Sequence, residues 1–445
     1  MPDSVLRGLA IAAMLSAAYP ALGDVVDTGQ AQCCSSINPQ MPPPTYYGAA
    51  MLRENDPRGA WTPHLAVPAD PPGTIEEMQR RVDEQEKADG PMAPGLVEPL
   101  SGLAAAYLAS DRYQDAISAL RRGIHLTRIN GGLHTPEQVD MLEQLILTMV
   151  RQGDYAAADK QQDYLYKVKR RGKPHGSGDT LQATMRYADW MRGSYLADVD
   201  QQRFPRLVGM NDLYKEAIQE IEAAEGKDSP SLLPYLEGRA DLSYLISVYP
   251  GEREGAFPTG AQASTDFSLA SGAQMRFWRM RDHNFRYGLE ALKRKTDILR
   301  TQNHSQQEIA DSVLAIADWY QWHRRYAEAV RAYREAWELM EQEENAVAWR
   351  TANLAAPLEL PKNTVFNPGL IPLGIPNAAA ISVRFDVNRH GEAKDIEVLT
   401  ETTEETEAAV TRAYHYLRNV RFRPGMKEGK VVRTEGVERT YNIRF

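Results

Sequence analysis

From Leu96 onward the apolar positions fall at helical spacing. Leu96, Leu100, Leu103, Ala104 and Tyr107 follow the 3, 4, 3, 4 pattern of one buried helical face. A polar break at Ser110-Asp-Arg112 ends that helix, and Tyr113, Ala116, Leu120 and Gly123 predict a second one, so residues 96–125 read as a helical hairpin. The pattern then recurs. Gly153-Asp-Tyr155-Ala-Ala-Ala158 brings the same tyrosine and alanine back 42 residues later, after Leu142, Leu145, Ile146 and Met149. Tyr214-Lys-Glu-Ala217, with Ile221 and Ala224, and Tyr326-Ala-Glu-Ala329, with Tyr333 and Ala336, continue the series. Val313, Ile316, Ala317 and Tyr320 precede the last of them. The fit is closest over 96–125 and 309–340, fair over 138–168 and loose over 180–225. Insertions are expected between about Gly193 and Asn211 and between Gly251 and Ser271.

On either side of this array proline interrupts the pattern. Residues 24–89 hold Pro39, Pro42, Pro43, Pro44, Pro57, Pro63, Pro68, Pro71 and Pro72 and lack apolar periodicity, so they read as a flexible leader. Only Thr74–Lys87 predicts the start of a helix there. Pro357, Pro361, Pro368, Pro372 and Pro376 mark residues 355–376 as a linker that closes the helical region at about 350. A different class of pattern follows. Ile381, Val383, Phe385 and Val387 alternate with polar residues, the period of a half-buried strand. Asn388–Gly391 predicts a turn, Ala393–Leu399 a returning strand, and Thr402-Thr-Glu-Glu405 a capping box. Val410, Ala413, Leu417 and Val420 mark one helical face, and Val437, Tyr441, Ile443 and Phe445 alternate in a last strand. The expected fold class is therefore multidomain: an α-helical repeat array over 95–350, then a small two-layer β-β-α-β module over 377–445.

The array resembles the tetratricopeptide repeat, in which Tyr-x-x-Ala opens the second helix of each hairpin. The alanines would sit where two helices approach most closely, and the tyrosines would fill the gap at the turn. The resemblance implies a concave face lined by the first helix of each repeat and used to bind a partner. Carried onto the best repeat, it points Asp311, Leu314, Asp318, Gln321 and Trp322 into that groove. An indole beside two carboxylates there suits a basic peptide with an apolar anchor. The C-terminal module resembles the C-terminal domain of TonB. Ile381-Ser-Val-Arg-Phe-Asp-Val387 before Gly391, Val420-Arg-Phe-Arg-Pro424 before Gly429-Lys-Val-Val432, and Arg439–Phe445 carry that likeness in order. It implies a periplasmic protein whose last strand offers an edge for strand addition, with Thr440, Asn442 and Arg444 on its outer face. The partners implied are proteins or peptides of the cell envelope, such as an outer-membrane transporter.

The first 23 residues decide between two versions of that reading. Arg7, the apolar run Leu9–Ala18 and the small residues before Asp24 predict a signal peptide at 1–23, cleaved on export. Cleavage leaves a periplasmic adaptor. An uncleaved segment would instead anchor a TonB-type energy transducer in the inner membrane, and membrane association is expected only then. Net charge is −9, and the excess lies upstream, because residues 381–445 hold 12 basic and 11 acidic side chains. Nucleic acid is therefore not an expected partner. Cys33 and Cys34 are adjacent, too close to staple a fold and too few to hold a metal. The nine histidines form no ligand pair, and 167–178 lacks the Gly-Lys-Ser/Thr of a phosphate loop. No catalytic set, cofactor or metal is expected.

Overall fold

The computed structural model describes residues 51–53, 71–197, 199, 203–249, 263–366, 369–370, 378–404 and 406–444. The expected signal peptide and Cys33-Cys34 lie outside these. Thirteen helices come first among the described residues. They are α1 (Ile75–Asp89), α2 (Val97–Ala109), α3 (Tyr113–Gly131), α4 (Val139–Gln152), α5 (Tyr155–Arg170), α6 (Gly178–Ala197) and α7 (Arg203–Glu225), then α8 (Leu233–Val248), α9 (Ala263–Asp282), α10 (Asn284–Thr301), α11 (Gln306–Trp322), α12 (Tyr326–Leu339) and α13 (Ala346–Leu354). From α1 to α12 each packs mainly on its chain neighbours, except that α8 pairs with α10 while α9 lies on α7. That is the one-dimensional stacking of a helical repeat array.

The turn chemistry repeats as well. Asp111, Gly153, Asn303 and Arg324 take left-handed backbone between α2 and α3, α4 and α5, α10 and α11, and α11 and α12. The next N–H in each case returns to a carbonyl five residues back: Arg112 to Tyr107, Asp154 to Met149, His304 to Leu299 and Arg325 to Tyr320. This Schellman-type closure satisfies the orphan carbonyls of each first helix and fixes the hairpin angle. Ala116, Ala158, Ala217 and Ala329 are all fully buried, as close helix approach requires. α1 starts where Thr74 and Glu77 form a reciprocal capping box.

Several expectations need correction. α6 and α7 run through most of 193–211, so the insertion foreseen there is largely helix. Tyr214-x-x-Ala217 lies in the middle of α7 and does not open it. Its ring packs on α8, where a Cβ on Gly238 would come within 2.5 Å of it. α9 likewise occupies the described part of the expected 251–271 insertion.

The C-terminal module contains β3 (Ala378–Val387), β4 (Ala393–Val398), α14 (Glu407–Asn419), β5 (Arg421–Arg423), β6 (Met426–Lys427), β7 (Lys430–Val431) and β8 (Thr434–Arg444). Ile381, Val383, Phe385 and Val387 face Ala409, Ala413 and Leu417 of α14, so the alternation of β3 meets one helical stripe. Gly391 takes φ +65 in the hairpin turn. The capping box expected at 402–405 involves Glu405, which lies outside the described residues. Thr403 and Thr406 exchange backbone-to-hydroxyl bonds, Thr403 N–H to Thr406 Oγ1 at 2.8 Å and Thr406 N–H to Thr403 Oγ1 at 3.3 Å, and the helix starts at Glu407.

Two segments outside the module complete its sheets. β1 (Met51–Arg53), from the leader, pairs antiparallel with β8, giving the order β1-β8-β3-β4. β2 (Leu358–Leu360), from the expected linker, pairs antiparallel with β5. The leader and linker therefore contribute strands where flexible chain was expected, and the array and module belong to one compact unit.

Candidate partner-binding surfaces

Two cavities lie between successive helices of the array. α8, α10 and α11 enclose a groove of about 600 Å³. Its charged lining is Glu237, Asp241, Glu308, Asp311 and Asp318 against Lys295, Lys362 and Arg423, an excess of acid. A second cavity of about 680 Å³ lies farther along, between α4, α5 and α6. Ile146, Leu147, Leu165, Tyr166, Tyr187 and Trp190 give it an apolar floor, and the two tyrosine rings stack at 4.6 Å.

The sequence-derived groove residues divide between two roles. Asp311, Leu314 and Asp318 line the 600 Å³ groove. Asp311 accepts the Trp349 Nε1–H at 2.7 Å, and burial raises its carboxyl pKa against that hydrogen bond. Asp318 is spent inside the protein: Arg423 donates to its two oxygens at 2.9 and 2.7 Å, and the Tyr333 hydroxyl donates at 3.0 Å. Gln321 is also committed, donating to the His390 carbonyl at 2.5 Å and the Phe422 carbonyl at 3.1 Å. Trp322 donates to Ser247 Oγ at 2.9 Å and sits edge-on to Tyr244, within the helix layer and outside the groove lining. Part of the expected partner face is thus the seat of the chain's own C-terminal module.

That seat went unseen in the sequence. The Val420–Pro424 pattern gives Arg423 no role by itself, yet this side chain enters the last hairpin and donates to the Asn353 carbonyl at 2.8 Å as well as to Asp318. Burial alone would lower the Arg423 pKa, but Asp318 outweighs it and raises it. Gly391 belongs to the same contact, its carbonyl accepting the Phe422 N–H at 2.9 Å.

The linker reaches the groove next. The Glu359 carboxylate accepts the Tyr441 hydroxyl at 2.9 Å and also that of Tyr416. The Lys362 ammonium pairs with Glu237, and with Asp241 at 3.6 Å, while Lys295 holds Glu237 from the other side at 3.0 Å. Burial works to raise the Glu237 pKa, but the two lysines hold it down at about 2. For Asp241 burial wins and the pKa rises. Burial would lower that of Lys362, and its two acidic neighbours raise it instead. Val365 and Phe366 then bury themselves in the core beside α8.

On the sheet, Thr440 faces away from α14 and shares a hydroxyl contact of 3.0 Å with Ser382. Asn442 lies on the same face of β8 by alternation, and its backbone stands opposite Leu52 of β1. The Arg444 side chain lies outside the described residues, though its backbone pairs with Ala378. The β8 edge is thus in use, over Tyr441–Ile443, by a strand of the same chain.

Among the described residues one group has metal-ligand chemistry: ligand atoms of His175, Glu216 and Glu220 lie within 4.8 Å of one another. Arg170 donates to both carboxylates; burial works to raise the Glu220 pKa, but the hydrogen bonds with His175 and Arg170 hold it low. A guanidinium already supplies the charge a cation would bring. No helix of the described residues is long and apolar enough to cross a membrane.

No protein-family model matches the chain, and no curated protein matches it. Among solved structures, BtubC (BKLC) from P. vanneervenii is similar at 14% identity and a TM-score of 0.31, over 63% of this chain and 90% of that one. The TPR-like repeats of a Podosopora anserina protein assigned as a kinesin light chain are similar at 13% identity and a TM-score of 0.33, over 58% of this chain and 97% of that one. Likenesses of that size add nothing to the helix packing described above.

Proposed function

We propose that this chain is a periplasmic adaptor of the cell envelope, working by binding and not by catalysis. In this reading the helical array holds one protein partner and the C-terminal module, of the TonB C-terminal type, docks a second one linked to outer-membrane transport. The observation that carries the docking half is the β8 edge, which already accepts an antiparallel strand at Tyr441–Ile443. Met51–Arg53 already satisfies that edge, so in this reading a partner segment docks by taking the place of this strand. The acidic groove and the apolar cavity support the array half, since anchors and charge there suit peptide capture.

The test is photo-crosslinking in intact envelopes. A photoreactive residue at position 440, beside the edge, should capture an outer-membrane β-barrel protein identifiable by mass spectrometry. The same residue at position 80, exposed on α1, should not. Identical products from both positions, or none from 440, would remove the docking assignment.

A further inference from the structure

Residues 275–286 hold four arginines and one acid, Asp282, in a chain whose net charge is −9. His283, between α9 and α10, keeps helical bonds on both sides. Its N–H reaches the Arg279 carbonyl at 3.2 Å, and its own carbonyl accepts the Tyr287 N–H at 3.0 Å. Met275, Arg279, Asp282 and Arg286 therefore follow the 4, 3, 4 spacing of one helical stripe, with Trp278 beside them, and all five are exposed. Met275 is 57% exposed and Trp278 43%, while Phe277 and Met280 of the same helix are buried.

The cations of this stripe are left over from the fold. Arg276, at its flank, pairs with Asp212 at 2.6 Å. Arg279, Arg281 and Arg286 make no ion pair among the described residues. Arg279 instead lies 3.6 Å from the Met275 sulfur, Arg281 stands 5.4 Å over the Trp278 ring, and Arg286 stands 5.3 Å over Tyr287. From α8, Arg239 approaches the same Tyr287 ring at 5.4 Å, and its Nε is buried without a hydrogen-bond partner. Two guanidinium groups on one ring repel each other, and an anion beside them would remove that cost.

We propose that this α9–α10 stripe docks on the surface of an anionic phospholipid bilayer. Met275 and Trp278 enter the interfacial layer, and Arg279, Arg281 and Arg286 meet lipid phosphates. A bilayer fits this surface better than an acidic protein segment does. It offers phosphate at one depth and acyl carbon just beneath, so an indole, a thioether and long arginine stems on one convex helix face are satisfied together. The acidic remainder of the chain is repelled by the same lipid, so the stripe also sets which side of the protein faces the membrane. Membrane association then does not require the first 23 residues, and it assumes nothing about the β8 edge.

The experiment places a photoreactive methionine analogue at position 275 of the full chain and reads lipid attached to that residue by mass spectrometry, a signal that an N-terminal anchor does not produce. Vesicles of equal parts phosphatidylglycerol and phosphatidylcholine should give half-maximal labelling at a lipid concentration at least about tenfold lower than phosphatidylcholine alone. Arg279→Gln, Arg281→Gln and Arg286→Gln together should raise that concentration about a hundredfold, since each surface arginine is worth about fivefold. The same charge change at the exposed Arg80, Arg81 and Arg121 should alter it by less than about twofold. Equal labelling in the two kinds of vesicle, equal effects of the two triple variants, or a label at 275 that falls on protein in intact envelopes would each overturn the proposal. If the stripe variant loses its helical spectrum, the comparison of the two vesicle types with the otherwise native chain decides alone. Crosslinking from position 440 reads a different surface, so failure here leaves the docking assignment standing.

Discussion

Arg423→Met removes the guanidinium that ties the C-terminal module to the last hairpin. Arg423 is 5% exposed and Asp318 7%, so water can replace little of what is lost. The substitution deletes two charged hydrogen bonds to Asp318 and one to the Asn353 carbonyl, leaving the Asp318 carboxylate only the Tyr333 hydroxyl among these contacts. Stranding one partner of a buried pair costs about 3–5 kcal/mol. Asp318→Leu on its own strands the arginine and should cost a similar amount. The two changes together leave an apolar pair with no stranded charge, and should cost well under the sum of the singles. Urea unfolding followed by far-ultraviolet dichroism and tryptophan fluorescence gives all four corners of the cycle. The loss should be nearly the same in 0.05 and 0.5 M salt, because a buried pair is poorly screened. A cost below about 1 kcal/mol for Arg423→Met, or strictly additive singles, would refute the argument that this pair holds the two modules together.

Other outcomes follow from the same contacts. Gly391→Ala places a Cβ 1.9 Å from the Phe422 carbonyl oxygen and 2.2 Å from Gln321 Nε2, at φ +65, so it should destabilise the protein by more than about 2 kcal/mol in the same unfolding assay. His323, packed against Trp319 and Phe285, has its pKa lowered by burial to about 4. Its unfolded value is higher, so the unfolded state takes up protons first as pH falls. Its contribution, about 3 kcal/mol at most, is present above pH 6.5 and lost between 6.5 and 4. His323→Phe should flatten the stability profile in that window. Glu237 has its folded pKa depressed to about 2, so its grip on Lys362 is complete above the unfolded carboxyl range and fades only as pH falls toward 2. Amide exchange at Lys362–Phe366, followed from pH 5 downward, reports that loss. Leu52→Pro fixes φ in the middle of β1 away from the ladder's extended geometry and should lower amide protection within Tyr441–Ile443 while leaving β3–β4 pairing intact.

The hairpins and the module order were legible in the sequence because each rests on a period sustained over many residues. Tyr113–Ala116, Tyr155–Ala158 and Tyr326–Ala329 open second helices as the pattern required, and the strands of 381–398 alternate as read. Tyr214–Ala217 misled because the same four residues also serve mid-helix, wherever a tyrosine lies over a glycine such as Gly238. The linker was opaque for another reason. Proline density describes local backbone preference, whereas Leu358–Leu360, Lys362 and Val365–Phe366 are ordered by partners more than 50 residues away in β5, α8 and the core. β1 is too short for any periodic signal. Asp318 and Gln321 were rightly placed on the first helix of their hairpin. Nothing local to α11 could show that Arg423, His390 and Phe422 would claim them.

The pairing of Met51–Arg53 with Tyr441–Ile443 sets an order of assembly. The two strands stand 392 positions apart at the Met51–Ile443 pair. Made from the N-terminus, the chain produces one half of this ladder well before the other. The helical hairpins, closed by local contacts, can form in the meantime, and the sheet must follow. Until the leader arrives, the outer edge of β8 is an open template, and a neighbouring nascent copy could fill it as readily as the chain's own strand. Yield on refolding should therefore fall with protein concentration more steeply for a chain truncated before residue 71 than for the full sequence.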